Sequence, residues 1–359
     1  MTATDTTTKG YERYTAPLRR RDRSGRPSSI SRLARGWRSR AMPPRGRGEP
    51  LRLESVECDL CGLTVVEPVG VGEDFEYWTS PDSFLGVRCT QCGLVFLDPR
   101  PASDELGRIY PPDYHAYDFT EERFGLVHTV RERLESRRIL RWADDMPTDA
   151  TVVDIGCGDG FHLDLLNRYG PAGWTVLGVE PDVDAAERAR QKGLTVHATT
   201  LADAPIEKGS VDLVILIQTI EHVPNPVELL GQIAEILAPG GRLVVVTDNV
   251  DSPDFRLFRS RHWGGWHWPR HWHLYSKETL GRTAEAAGLE IEEITTIVSP
   301  VNWVYSVRNL LVDLEAPEWA TRPLSLEGTI ALGVGTLWDM PFNLAGKGAL
   351  LRGSFVRPR

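Results

Sequence analysis

Val152-Val153-Asp154-Ile155-Gly156-Cys157-Gly158-Asp159-Gly160 decides the fold. An apolar run, Thr151–Ile155, enters this stretch, and residues with helical apolar spacing, Phe161–Tyr169, leave it. That is a strand, a glycine loop and a helix. Glycines let the backbone turn tightly and approach a ligand with no Cβ in the way. The free N–H groups and dipole of the following helix favour a polar or anionic ligand there. Dinucleotide enzymes share such a loop, but their spacing is Gly-x-Gly-x-x-Gly, whereas this one reads Asp-x-Gly-x-Gly-x-Gly. A second apolar run, Thr175–Val179, ends in Glu180-Pro181-Asp182. A carboxylate in that place accepts hydrogen bonds from ribose hydroxyls.

Further outward the strand–helix alternation continues. Val211–Ile217 and Arg242–Thr247 read as buried parallel strands. Val183–Lys192 and Pro226–Leu237 read as helices, and Ala238-Pro239-Gly240-Gly241 as a helix stop with a turn. The class expected is α/β, a doubly wound sheet.

These segments resemble the class I S-adenosylmethionine-dependent methyltransferases. Ile220-Glu221-His222-Val223-Pro224-Asn225-Pro226 is similar to the family's Glu-His-Val-x-x-Pro element, and Leu237–Leu243 to the turn before its fifth strand. The resemblance implies S-adenosylmethionine as cofactor. It places Asp154, Gly156 and Gly158 at the methionine end, with Cys157 in the same loop. It puts Glu180, beside Pro181, on the ribose, Leu201 against the adenine and Gln218 at the close of the pocket. In related ubiquinone-pathway enzymes the Glu-His pair helps bind a divalent ion with an acid one turn earlier. Gln218 stands at that turn here, and the site is read as metal-free.

Cys58-Asp59-Leu60-Cys61 and Cys89-Thr90-Gln91-Cys92 are each followed by glycine. Two such knuckles supply four thiolates, the donor set of a closed structural zinc site with no position left for substrate. Iron in a rubredoxin-like site is the chemical alternative. Residues 88–101 with Tyr110-Pro111-Pro112-Asp113-Tyr114 look like bacterial small-molecule methyltransferases that carry such a module ahead of the catalytic fold. By that resemblance the tyrosines of residues 110–117 reach the cofactor's methionine end; by themselves they read as packing.

Arg261–Tyr275 holds His262, His267, His271, His273 and four tryptophans, Trp263, Trp266, Trp268 and Trp272. It follows the fifth strand of the catalytic sheet and should overhang the transferred methyl. Pro269-x-His271-x-x-x-Tyr275-Ser276 is similar to an element of the same relatives. Methyl transfer needs the acceptor oriented and often deprotonated. The expected base is His271, then His267, then His273. Each also reads as a structural residue, and the tryptophans as an aromatic wall or ordinary core. Ser276 is an N-cap for a helix over Lys277–Gly288, followed by a strand over Leu289–Val298.

Charge is uneven. Residues 1–48 hold 13 Lys/Arg against Asp5, Glu12 and Asp22, so +10, which leaves −19 on the rest of a chain of net −9. The acidic body argues against broad nucleic-acid binding. The tail lacks a sustained apolar period and reads as disordered, either idle, with Met42 as a second start, or an interaction arm. The organisation expected is this tail, a four-cysteine module at 49–100, and a linker and helical cap at 101–145. The catalytic domain follows at 146–299 and 348–359, with its last strand near Ala349–Val356, and a helical insertion occupies 300–347. The insertion is a packed helical pair or an apolar lid suited to a greasy or membrane-borne acceptor. No signal peptide or membrane span is read, and a cytoplasmic location is expected. The activity expected is methyl transfer to a small natural product, sugar or glycan. The alternatives are an RNA base methyltransferase and a fold that binds the cofactor without transferring methyl, as a cyclase or regulator.

Overall fold

A computed structural model describes residues 49–111, 114 and 125–359. The expected disorder of the basic tail, and Tyr117 of the aromatic turn, lie outside the described residues. The N-terminal part is built on β1 (Leu53–Glu54), β2 (Val66–Glu73), β3 (Ser83–Cys89), β4 (Val95–Leu97) and β5 (Arg100–Pro101). β2, β3 and β4 form an antiparallel meander, and β1 pairs with β5. Helix α1 (Leu126–Trp142) leads into the catalytic sheet.

That sheet alternates as the sequence suggests: β6 (Thr151–Ile155), α2 (Phe161–Tyr169), β7 (Thr175–Val179), α3 (Val183–Gln191), β8 (Val196–His197), β9 (Val211–Ile217), α4 (Pro226–Ile236) and β10 (Leu237–Asp248). After a short helix α5 (Pro253–Phe258) come β11 (His273–Leu274), α6 (Lys277–Ala286), β12 (Glu290–Ile297), α7 (Val301–Asp313), α8 (Thr329–Leu344) and β13 (Leu350–Val356). The order across the sheet is β12-β13-β10-β9-β6-β7-β8, with β13 antiparallel to both neighbours and the remaining pairs parallel. The chain is thus a doubly wound α/β protein whose strand order reverses beside β6, where the glycine loop lies. The Pro-Gly-Gly turn falls inside β10 as an irregularity between Leu237 and Arg242.

Alternation along the strands explains the layers. Val153, Ile155, Val214, Leu216 and Val245 face one core with Leu230, Ile233, Leu280 and Ala284 of α4 and α6. Val152, Leu213, Ile215 and Val244 face the other, with Ile139, Trp142, Leu165 and Leu166 of α1 and α2. Helix starts are specified locally. Asp182, Asn225 and Ser252 each accept a hydrogen bond from an amide three residues on. Ser276 and Thr279 form a reciprocal capping box.

The cysteine part has no core of its own. Cys58, Leu85, Val87, Cys89, Cys92 and Phe96 are continuous with the α4–α6 core of the catalytic sheet. β11, from the histidine-rich loop, adds to the edge of β4, so the order there is β11-β4-β3-β2. The module and the catalytic domain are therefore joined by both a sheet and a core. Residues 300–347 carry α7 and α8 with a short helix, Glu318–Thr321, between them, and α8 leaves Ile330, Val334, Leu337, Trp338 and Leu344 exposed. Among the described residues no helix is long and apolar enough to cross a membrane.

Candidate active site

The residues singled out for the cofactor lie at or after the carboxyl ends of β6, β7, β8 and β9. Gly156, Gly158 and Gly160 all take left-handed backbone angles, φ +71°, +54° and +85°. A Cβ on Gly156 would stand 2.5 Å from the Thr219 side chain. Glycine is therefore required there by both angle and space. Glu180 closes the loop: its carboxylate accepts from the Gly158 amide at 2.8 Å and the Asp182 amide at 2.9 Å. Asp154 is buried at the end of β6 with Oδ2 unpartnered. Burial, and then the charge of Glu180, push it up to about 8. An orphaned carboxylate beside a bare backbone loop suits a ligand with a cationic end. Cys157 is buried in the loop, and a Cβ on Gly178 would meet its Sγ at 2.7 Å. Leu201 is buried in a single helical turn, and Pro181 is exposed. Gln218 adopts φ +50° after β9 and donates from Nε2 to Glu221 at 2.5 Å.

The four cysteine sulfurs converge, each within 4.8 Å of the others, with Cys58–Cys92 at 3.4 Å and Cys61–Cys89 at 3.5 Å. A tetrahedral ion with bonds of about 2.3 Å needs sulfur–sulfur edges of roughly 3.8 Å. The donor set and spacing therefore fit one small ion. All four are free thiols. Burial opposes ionisation of Cys89, but the amides of Cys92 and Gln91 outweigh it and hold the thiol at about 7.

The histidine-rich loop does not behave as one unit. Trp263, Trp266, Trp268 and Trp272 are core residues, at most 3% exposed, packed with Phe84, Val95 and Phe255. Trp266 and Trp268 stack at 4.4 Å. Gly72 and Gly86 make room for them: a Cβ on either would come within 2.2 Å of an indole. His273 lies on β11, fully buried, with Nε2 2.6 Å from Asp59 in the first cysteine knuckle. It stands apart from the other two expected bases. His267 and His271 are neighbours, ring centroids 5.0 Å apart, and His222 packs 4.6 Å from His271. His267 Nδ1 is 2.6 Å from Glu76. His271 Nδ1 is 2.8 Å from the Gly265 carbonyl oxygen and 3.2 Å from Asp248 Oδ2.

The three rings differ electrostatically. Burial, then the neighbouring histidines, lower His222 well below its ordinary value. Burial, then Arg270, do the same to His267. Burial also works against a charged His271, but the Asp248 carboxylate and Glu221 outweigh it, and His271 is raised. Glu221 is pushed up to about 7 by burial. Its oxygens accept from Gln218 and, at 2.9 Å, from Thr247.

Several residues of this centre were not singled out in the sequence. Tyr77 and Glu76 come from the segment between β2 and β3. Glu76 meets His267, and the Tyr77 and Tyr114 rings are 5.7 Å apart. Tyr110, by contrast one of the tyrosines singled out, has its Oη 2.8 Å from His222 Nδ1. Arg270 forms a two-pronged pair with Asp74, at 2.9 and 3.2 Å, both fully buried. The signal was the acidic and aromatic run Asp74-Phe75-Glu76-Tyr77-Trp78 between two glycine-containing strands.

Residues 126–294 match a family model described as a methyltransferase domain. The chain is 30% identical over 185 residues to the ubiquinone biosynthesis O-methyltransferase of Thiobacillus denitrificans, covering 46% of this chain and 77% of that protein. It is 29% identical over 244 residues to the enzyme of that name from Cupriavidus pinatubonensis, covering 64% and 93%. Shorter matches span as little as 39% of the relative's own length. A solved S-adenosylmethionine-dependent methyltransferase from Thermotoga maritima, titled a possible histamine N-methyltransferase, superposes with a TM-score of 0.45. It is 20% identical, over 70% of this chain and 100% of that one. The chain belongs to the class I S-adenosylmethionine-dependent methyltransferases.

Proposed function

We propose that this methyltransferase acts on a small-molecule acceptor of natural-product, sugar or glycan type, and that His271 takes the acceptor's proton. The observation that carries this is the convergence of His271 with His222 and His267 beyond the carboxyl ends of β9 and β10. Ligands of open α/β sheets bind at that edge. The cofactor, when bound, supplies an electrophilic methyl on sulfur. Asp154 and the glycine loop hold its methionine end, Glu180 its ribose, Leu201 its adenine, and Gln218 closes the pocket. Tyr77, Tyr110 and Tyr114 line the acceptor side. An oxygen acceptor is favoured, since the relatives above are named O-methyltransferases. The uncharged exposed face of α8 suits an apolar or membrane-borne acceptor.

The experiment is transfer of a labelled methyl from S-adenosylmethionine into a metabolite extract, with and without nuclease. Label in a nuclease-resistant small molecule is expected. Label found only in nuclease-sensitive material would replace this reading with RNA methylation. For Cys58, Cys61, Cys89 and Cys92 we propose structural zinc, about one ion per chain. Elemental analysis showing no stoichiometric metal would remove it.

A further inference from the structure

α7 meets the histidine-rich loop along a polar stripe. Asn302, Ser306, Asn309 and Asp313 recur at steps of four, three and four, so they share one face of the helix. Ser306 Oγ accepts from the Gly264 amide at 2.8 Å, and Asn309 Nδ2 donates to the His262 carbonyl at 3.3 Å. Asp313 accepts from Arg261 at 3.1 Å and lies 2.9 Å from His262 Nε2. Asn302 Nδ2 donates to Asp248 Oδ1 at 2.6 Å. A helix that served only as packing would present an apolar face. Buried polar groups are stable only against matching partners, so this stripe fixes where the helix sits on the loop.

Asp248 is the last residue of β10 and is 1% exposed. With Oδ1 taken by Asn302, Oδ2 stands beside His271 Nδ1, which also faces the Gly265 carbonyl. The Gly265 carbonyl is hydrogen-bonded to Nδ1, and Asp248 Oδ2, which makes no hydrogen bond, lies 3.2 Å from the same nitrogen. Nδ1 therefore carries the hydrogen, and Nε2 of the neutral ring holds the lone pair. We propose that Asp248 is a positioning residue for His271, and that Asn302 on the insertion holds its carboxylate in place. The proposal rests on the reading of His271 as the base. The Gly265 carbonyl alone would orient the ring, but it is neutral. A carboxylate also stabilises the imidazolium that forms once the proton is taken. The insertion then has a task in the reaction: it braces the base from behind. The other groups facing His271 are Glu221 and His222, from the turn after β9, and His267 of its own loop.

The test is ¹⁵N NMR of the full chain, labelled on histidine and loaded with S-adenosylhomocysteine, with His271 assigned by signal loss in His271→Gln. In the unaltered protein Nδ1 is protonated and Nε2 is not. Asp248→Asn lowers the His271 titration midpoint by about one to two pH units. Asn302→Leu moves it the same way by less. A merely structural Asp248 would lower the melting temperature and leave the midpoint and tautomer where they were, and that result overturns the proposal. Asn302→Leu keeps the carboxylate, and it decides the matter where Asp248→Asn fails to fold: an unmoved midpoint overturns the brace. The readout needs no acceptor. It is distinct from turnover of His271→Gln, which tests whether His271 is the base at all.

Discussion

The glycine loop and the histidine-rich loop are both ligand-side connections of one sheet, and they are held in opposite ways. Residues 154–160 are shaped mainly by their own backbone, with three left-handed glycines, and by two side chains from nearby segments: Glu180, which accepts from the Gly158 amide, and Lys192, which donates to Asp159. Residues 261–275 are shaped by side chains from far along the chain. Arg270 pairs with Asp74, His267 with Glu76, His273 with Asp59, and His271 with Asp248. The second loop exists only when the cysteine module, β10 and α7 are all in place.

The sharpest way to test that contrast is His271→Gln. If His271 removes the proton, kcat falls by about 10²–10⁴-fold while cofactor affinity holds. Glutamine hydrogen-bonds but does not accept a proton at neutral pH. The pH profile has a definite sign. His271 is raised by Asp248 and Glu221 against its burial, so the base is lost as pH falls through a value above histidine's ordinary one. The acid limb of kcat therefore lies higher than for an unperturbed histidine. Near-normal turnover of His271→Gln would leave orientation as the loop's contribution.

Next comes Asp74→Ala. It strands the Arg270 guanidinium in a site where both side chains are fully buried. It also frees the amides of Glu76, Tyr77 and Thr79, which Asp74 now accepts from. Breaking a buried pair from one side costs about 3–5 kcal/mol. Denaturant unfolding should show this loss, with turnover lost and S-adenosylhomocysteine binding largely kept. Equal loss of cofactor binding would mean that the two loops are not held independently.

The same contrast explains what the sequence disclosed. Strands β6, β7, β9 and β13, the N-cap at Ser276, the glycine loop and the cysteine knuckles were legible because each is written in residues close together. Glu76, Asp248 and Asn302 were not, since their partners lie 191, 23 and 54 residues away. Nothing local marks an aspartate at a strand end as facing a histidine. The tryptophans were ambiguous for a related reason. The glycines that receive them, Gly72 and Gly86, lie on strands of the other region.

The smallest expected effect falls on the local loop. Glu180→Ala removes the carboxylate that would hold both ribose hydroxyls, and weakens S-adenosylmethionine binding by about 2–3 kcal/mol. Part of that change arises in the free protein. Glu180 also accepts from the amides of Gly158 and Asp182, so alanine leaves both without their present partner. Burial already raises Glu180, and its removal takes a negative charge away from Asp154. Glu180→Gln separates the two contributions. It still accepts through its amide oxygen but offers one acceptor atom where the carboxylate offers two, so it should fall between wild type and alanine in calorimetry. Unfolding of both variants should shift by less than that of Asp74→Ala, because the glycines keep the loop's path. Unchanged affinity in Glu180→Ala would move the ribose contact elsewhere. A stability loss as large as that of Asp74→Ala would show that the first loop, too, depends on a side chain outside it.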